Sequence, residues 1–110
     1  MTAAKEATTE GQRLVRACRE RAEVLLDVFQ EAGWSHEDIV RVPNWPDLDD
    51  FSFRASKWVD IGRPLHHHVE VYVNAGSGLI DLRGVPPSQR AARRVLEAAG
   101  LSKWLGWVEP

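Results

Sequence analysis

Residues 51–83 alternate between apolar and polar side chains in three successive runs, which are separated by Gly62-Arg63-Pro64 and by the segment 74–78. The odd positions of the middle run, His67 apart, are apolar: Leu65, Val69, Val71 and Val73. Its even positions are polar: His66, His68, Glu70 and Tyr72. A period of two is typical of half-buried strands, so we expect a sheet with one face in a core and the other in water.

The first and third runs follow the same rule. The first run has these residues on its apolar side: Phe51, Phe53, Ala55, Val59 and Ile61. On its polar side it has Ser52, Arg54, Ser56, Trp58 and Asp60. Lys57 falls on the apolar side, which predicts a bulge or an edge at that point. In the third run Ile80 and Leu82 are expected to point inward, and Asp81 and Arg83 outward.

A long amphipathic helix is predicted before the strands, from about Thr9 to Ala32. Its apolar stripe contains Leu14, Val15, Cys18, Ala22, Leu25, Leu26, Phe29 and Ala32. Thr9 and Gln12 have the spacing of a capping box, and Gly33 is placed to end the helix in the left-handed conformation. We therefore expect residues 1–8 to form a flexible lead-in, and Cys18 to be a buried, inert thiol.

The segment between this helix and the strands is expected to be irregular. Ser35 is placed to cap a single helical turn over residues 35–40. A loop with two prolines follows over residues 43–50, and its three aspartates predict a small acidic knob. The sequence leaves open whether Trp34 and Trp45 belong to the core or to the surface.

A second helix is predicted after Pro86-Pro87, with Ser88 as its N-cap. The expected inward face consists of Ala91, Ala92, Val95, Ala98 and Ala99. Gly100 followed by Leu101 matches a Schellman ending, in which the second residue packs back near Leu96. The tail that follows contains Trp104 and Trp107 and is too apolar to be free, so we expect it to pack on the domain or on a partner.

The order of these elements is helix, three strands, helix. Short connections favour an antiparallel meander, and one apolar sheet face favours both helices on that side. The sequence therefore predicts an α+β fold, a two-layer α-β-β-β-α sandwich, with residues 9–110 forming one domain and its packed tail.

Composition excludes several classes of protein. The chain has 110 residues, is 44% hydrophobic and 27% charged, and carries a formal net charge of −2. It has no apolar run near the roughly 20 residues that span a bilayer, its N-terminus lacks a signal-peptide pattern, and Cys18 is its single cysteine. We expect a cytoplasmic protein without a membrane partner. The eleven arginines against three lysines fit a GC-rich genome.

The strand His66–Tyr72 raises the question of a metal-dependent enzyme. His66, His68 and Glu70 project on the same side of a strand, and imidazole and carboxylate groups can bind a divalent metal. Three ligands in one line do not surround an ion, however, and the chain has neither a Gly-x-Ser-x-Gly turn nor a phosphate-binding glycine loop. We therefore expect no catalytic residues, metal or cofactor, and keep the metal-dependent enzyme as a second alternative.

Nucleic acid is the first alternative partner. The basic residues Arg83, Arg90, Arg93 and Arg94 cluster in and before the second helix. The element order, the stretch Ser88–Arg94 and the loop Gly62–His66 are similar to a double-stranded-RNA-binding domain, although this chain has arginines where that family has lysines. The resemblance implies that the second helix grips phosphates.

The polar sheet face favours a protein partner instead. Arg, Trp and Tyr are enriched at binding hot spots. The acidic residues between them on this face, Asp60, Glu70 and Asp81, would repel phosphates. Our hypothesis is a small, non-catalytic adaptor or regulator of bacterial or phage type, which binds another protein or forms a homodimer. The expected contact residues are Arg54, Trp58, His66, His68, Glu70 and Tyr72, with Trp104 and Trp107 in the tail.

Overall fold

Two long strands, β3 and β4, form the centre of an antiparallel sheet in this computed structural model, which describes residues 3–44 and 48–106, with side chains from Glu10 onward. The elements are α1 (Ala3–Glu31), β1 (Ser35–His36), β2 (Val40–Val42), β3 (Asp50–Asp60), β4 (Pro64–Val73), β5 (Ile80–Arg83), α2 (Pro86–Ala98) and a 3₁₀ turn (Ser102–Trp104). The questions of Trp45 and of Trp107 lie outside the described residues.

Pairing between β3 and β4 is continuous, from Phe51 opposite Val73 to Asp60 opposite Pro64. The expected bulge at Lys57 is therefore wrong, since Lys57 lies in register opposite His67. Its ammonium group instead donates to the carbonyl oxygen of Ala32 at 3.1 Å. The last carbonyls of a helix lack intrahelical donors and carry negative partial charge, which explains a lysine on the apolar side of the strand.

Two short strands extend the sheet beyond the predicted meander. Ser35 of β1 pairs with Ser56, and Val40 of β2 pairs with Ser52, both antiparallel to β3. The prediction of a helical turn over residues 35–40 is therefore wrong. One isolated turn gains few hydrogen bonds for the backbone freedom it loses, whereas the edge of β3 offers unpaired groups along its whole length.

Both helices cover the same face of this sheet, and one apolar core lies between the two layers. Helix α1 contributes Cys18, Ala22, Leu25 and Phe29 to it, and α2 contributes Ala92 and Leu96. The sheet contributes Phe51, Phe53, Ala55, Val69, Val71, Val73, Ile80 and Leu82. The predicted two-layer α+β architecture is confirmed, with five strands in place of three.

Each helix ends in the glycine motif that the sequence predicts. Gly33 and Gly100 have φ values of 87° and 75°. After α1, the N–H of Trp34 donates to Phe29 at 2.9 Å, and after α2 the N–H of Leu101 donates to Leu96 at 2.8 Å. These bonds are the long bonds of Schellman motifs. The ring of Trp34 packs edge-on against Phe29 at 5.2 Å and is buried, which assigns Trp34 to the core.

The helix starts differ from the predictions. Helix α1 begins at Ala3, so the expected lead-in is helical from that residue and the capping box at Thr9 is wrong. Helix α2 begins at Pro86 after Val85, and Ser88 is not its cap. Proline fits the first helical position because it has no N–H to satisfy and its φ is already helical. Ser88 is buried, and its hydroxyl lies 3.0 Å from Nδ1 of His67.

Three apolar positions are more exposed than expected. Ile61 follows the end of β3 and is 67% exposed, although the alternation placed it on the inward side. Ala98 and Ala99, predicted on the inward face of α2, are exposed, and Leu96 points into the core instead.

The tail runs beside β5 as far as the structure describes it. Leu105 forms a parallel bridge with Ile80, and the N–H of Gly106 donates to the carbonyl of Ile80 at 2.9 Å. The tail thus covers part of the β5 edge. In residues 3–44 and 48–106, neither helix combines the length and the apolar character that crossing a membrane requires.

The cap at Gly100 can be tested against a glycine inside a helix. We expect Gly100→Ala to lower the free energy of unfolding by about 1 kcal/mol, because a side chain is strained at positive φ. Gly11→Ala is expected to raise it by about 0.5–1 kcal/mol, because the helix interior favours alanine and the new Cβ would lie 3.9 Å from Leu48. Urea unfolding of both variants measures the two changes in the free energy of unfolding. Changes of the same sign would contradict the assignment of Gly100 as a left-handed helix cap.

Candidate functional site

Neither α1 nor α2 lies on the polar side of the sheet, which is here called the open face. It carries the outward side chains of the three main strands: Arg54, Ser56, Trp58, His66, His68, Glu70, Tyr72, Asp81 and Arg83. Ser52 lies on the same side of β3 but is only 1% exposed. The register places Arg54 directly opposite Glu70 and Glu70 directly opposite Arg83, so a row of alternating charge crosses three strands. The next row pairs Ser56 with His68, and the third pairs Trp58 with His66.

A depression of about 550 Å³ lies in the middle of the open face. It is bordered by Ser35, His36, Glu37, Arg54, Ser56, His68, Glu70, Arg83 and Gly84. Gly84 allows β5 to leave the sheet there, because a Cβ at this position would lie 2.7 Å from the carbonyl oxygen of His68. The contributions of Ser35, His36 and Glu37 were missed because β1 itself was not predicted, and Gly84 was not among the predicted contact residues either.

Arg83 is fully engaged within the chain. Its Nε donates to Asp81 at 2.9 Å, its Nη1 lies 3.4 Å from Glu70, and its guanidinium stacks on the Tyr72 ring at 3.9 Å. The hydrogen bond to Asp81 raises the pKa of Arg83, with both carboxylates adding to the effect. Arg83 therefore belongs to the open face and is not part of a basic surface on α2.

Arg54 is the cation of the depression that remains available. It is exposed, and its side chain makes no hydrogen bond or ion pair among the described residues, since Glu70 opposite it is turned to Arg83. The hydroxyl of Ser56 beside it has no hydrogen-bond partner among those residues either. The depression thus offers unused donors for a ligand.

Three aromatic rings continue this surface toward the end of the β3–β4 hairpin. Trp58 and His66 stack with centroids 4.1 Å apart and planes 2° apart, and the rings of His66 and His68 meet edge-on at 3.8 Å. Loss of solvation and the neighbouring histidines lower the pKa of His66, so its ring stacks as neutral imidazole at neutral pH. Trp58 remains 66% exposed on this rigid support.

The geometry at His66, His68 and Glu70 bears on the metal question. The two imidazoles contact each other and Trp58, while Glu70 reaches Arg83. Within the part of the chain that the structure describes, no three or more histidine, cysteine, aspartate or glutamate side chains converge to hold a metal ion.

Tyr72 has a structural partner that the sequence did not indicate. Its hydroxyl donates to Oδ2 of Asp50, whose other oxygen accepts the N–H of Ala75 at 2.8 Å. Asn44 adds a bond to Oδ2 at 3.1 Å, and Asp50 is only 1% exposed. Asp49 pairs with Arg41. The expected acidic knob is therefore wrong for Asp49 and Asp50. The bond from Tyr72 to Asp50 links the open face to the loop that precedes β3.

The tail tryptophan lies elsewhere. Trp104 is half-buried against the core in the helix layer, with the guanidinium of Arg21 4.2 Å from its ring. It does not adjoin the open face, so the predicted contact residues do not form one surface. Trp107 lies outside the described residues.

The basic residues of α2 are only partly available. Arg94 is exposed, Arg90 and Arg93 are half-buried, and the buried Nε of Arg93 has no partner among the described residues. The first turn of α2, which precedes them, lies near the hairpin, since Ser88 contacts His67.

Cys18 is confirmed as a buried thiol. Its sulfur donates to the carbonyl oxygen of Val73 at 3.1 Å, and burial raises its pKa to about 11. It is therefore protonated and sheltered at neutral pH, as a structural cysteine is.

Comparison with known proteins adds no relative: no family model, curated protein or solved structure matches this chain. The resemblance to double-stranded-RNA-binding domains stays a prediction.

The bond between Tyr72 and Asp50 predicts an unusual titration. Burial, and next the hydrogen bond to Asp50, raise the pKa of Tyr72 from 10.0 to about 12. Between these values the unfolded chain loses the phenolic proton while the folded chain keeps it. The free energy of unfolding should therefore fall as the pH rises through this window. Below it, where Tyr72 is protonated in both states, the stabilisation from Tyr72 is fully present and does not change with pH.

Tyr72 is the only tyrosine, so its ultraviolet difference absorbance reports this group alone. We expect Asp50→Asn to move its pKa down toward 10.0, and the control Asp27→Asn, on the outer side of α1, to leave it unchanged. A native Tyr72 that titrates like the urea-unfolded chain would contradict the bond.

Proposed function

We propose that this chain is a small, non-catalytic adaptor or regulator that binds another protein through the open face. The observation that carries the proposal is Trp58, which is two-thirds exposed, stacked on His66 and continuous with the depression that holds Arg54. Tryptophan and arginine dominate binding energy where a partner excludes water from them.

The chemistry of the open face favours a protein over a small substrate. Its rows alternate arginine and carboxylate, which suits a partner surface with both charges and sets its register. The stacked rings hold Trp58 in place before binding, so little conformational entropy is lost on association. Arg54 then pairs with a carboxylate of the partner.

The lack of catalysis is part of the same proposal. Ser88 and His67 hydrogen-bond to each other where α2 packs on β4, and both residues are buried, as a structural pair is. On the open face, neither Ser56 nor Ser52 hydrogen-bonds to a histidine within the described part of the chain. A cytoplasmic location is likewise proposed, because a single buried cysteine gives no internal disulfide.

The test is to replace Trp58 by a photo-crosslinking amino acid in cells that make the protein, and Arg16, on the outer side of α1, as a matched control. We expect a discrete protein adduct from position 58 and none from position 16. Against the partner so identified, Trp58→Ala and Arg54→Ala should each weaken binding about tenfold or more, with unchanged melting temperature.

Arg16→Ala should bind as the wild type does. Unchanged affinity in Trp58→Ala would place the interface elsewhere. Size-exclusion chromatography with light scattering shows whether the partner is a second copy of the chain.

A nucleic acid is the second candidate partner. The observation that favours it is local: the first turn of α2 has no acidic residue, and the bond between Ser88 and His67 ties that turn to β4 near the stretch Gly62–His66, whose last three residues belong to β4. These are the two stretches that resemble the RNA-binding family.

This candidate predicts a steep dependence on salt. Binding to a duplex RNA should weaken strongly as salt rises, because bound phosphates release counterions. Arg90→Glu with Arg94→Glu should abolish it, whereas Trp58→Ala should have little effect. A filter-binding titration with duplex RNA at several salt concentrations measures this dependence. If the RNA does not bind, or binds equally well at all salt concentrations, the nucleic-acid hypothesis is wrong.

A further inference from the structure

The β3–β4 hairpin extends past the helix layer. Helix α1 ends at Glu31, and the bond from Lys57 to Ala32 fixes the position of that end above the sheet. From Lys57 to Ile61, the residue after the end of β3, the chain continues for about 13 Å without α1 above it. We call residues 57–67 the hairpin arm.

A groove of about 490 Å³ fills the space where the helix layer stops. Its floor is the inner side of the arm, with Val59 and Ile61, and its end is closed by Ala32 and the buried ring of Trp34. One wall is α2, which presents Ala91, Val95 and Ala98. These are apolar side chains, and Ile61 is 67% exposed.

The shape of the groove suits a helix better than a strand. The floor is the face of the sheet and not an edge, and the backbone groups of β3 and β4 already pair with each other from residue 51 to residue 73. A bound segment must therefore satisfy its own backbone, as a helix does. About nine residues of helix match the 13 Å of uncovered arm, and the small side chains of Ala91 and Ala98 let its backbone approach α2 closely.

The charges around the groove define the partner further. Lys57 and Arg94 line it together with His67, and none of the described lining residues is acidic. The nearby carboxylate of Asp60 is occupied, since it accepts the N–H of Gly62 at 3.0 Å in the hairpin turn. A segment with aspartate or glutamate beside its apolar residues would therefore find complementary charge.

We propose that this groove is a second docking site, which takes an acidic amphipathic helix of a partner protein. The apolar face of that helix packs on Val59, Ile61 and α2, and a carboxylate at its border pairs with Arg94. The groove is on the opposite side of the sheet from the open face. The two sites can be occupied together, and each proposal stands without the other.

The test is selection of helical peptides of about 14 residues from a phage-displayed library on the purified full chain. We expect binders with apolar residues three and four positions apart and with aspartate or glutamate beside them. Ile61→Asp should weaken the best synthetic peptide about tenfold or more, since it places a carboxylate on the apolar floor. Because Ile61 is 67% exposed, we expect the Ile61→Asp variant to fold as the wild type does.

Two further variants sharpen the result. Val24→Asp makes the same kind of change on the outer side of α1, where Val24 is also exposed, and should leave peptide binding unchanged. Arg94→Glu should weaken the acidic peptide and should bind better a peptide in which the paired carboxylate is replaced by lysine. If Arg94 only stabilised the fold, Arg94→Glu would not change the preferred peptide from the one with the carboxylate to the one with lysine.

Other results would overturn the proposal. These are selection of no helical binder, selection of basic binders, or equal affinity of wild type and Ile61→Asp. A wild-type dimer that Ile61→Asp converts to a monomer would assign the groove to a second copy of this chain. A fluorescent long-chain fatty acid that binds the wild type but not Ile61→Asp, without any peptide binder, would assign it to a lipid.

Discussion

The register between β3 and β4 is the constraint on which the rest of the structure depends. Because side chains alternate along a strand, a slip of one residue would move Phe53 and Val71 to the solvent and Arg54 and Glu70 into the core. The register also places Trp58 opposite His66 and Asp50 within reach of Tyr72. The core and the open face therefore follow from one set of strand pairs.

The sequence patterns predicted the features that depend on residues close together in the chain. Alternation identified both faces of the central strands, and the glycines at 33 and 100 marked two helix ends, because only the local backbone conformation matters there. The short strands β1 and β2 were missed, since they form only where the edge of β3 is available. Asp50 likewise looked like a surface aspartate, and only the fold brings Tyr72, Asn44 and Ala75 to it.

In the candidate site, too, the sequence pattern predicted the features that depend on neighbouring residues and missed those that depend on distant contacts. Alternation placed Arg54, Trp58, His66 and Glu70 on one face, which the structure bears out. It did not reveal that Glu70 and Asp81 hold Arg83, and so leave Arg54 as the available cation. Nor did it separate Trp104 from that face, because the path of the tail beside β5 depends on contacts distant in sequence.

Lys57 shows how one departure from a pattern carries structural information. A lysine on the apolar side of a central strand is costly to bury unless its charge has a partner. Here the end of α1 supplies that partner, so Lys57 marks the point where the helix layer stops. Beyond it, α1 no longer covers the arm, and the sheet is longer than its helical cover. The arm carries apolar residues on both sides, Trp58 on one and Val59 and Ile61 on the other. The sites proposed on its two sides therefore share one structural element, which the pairing of β3 with β4 holds in place.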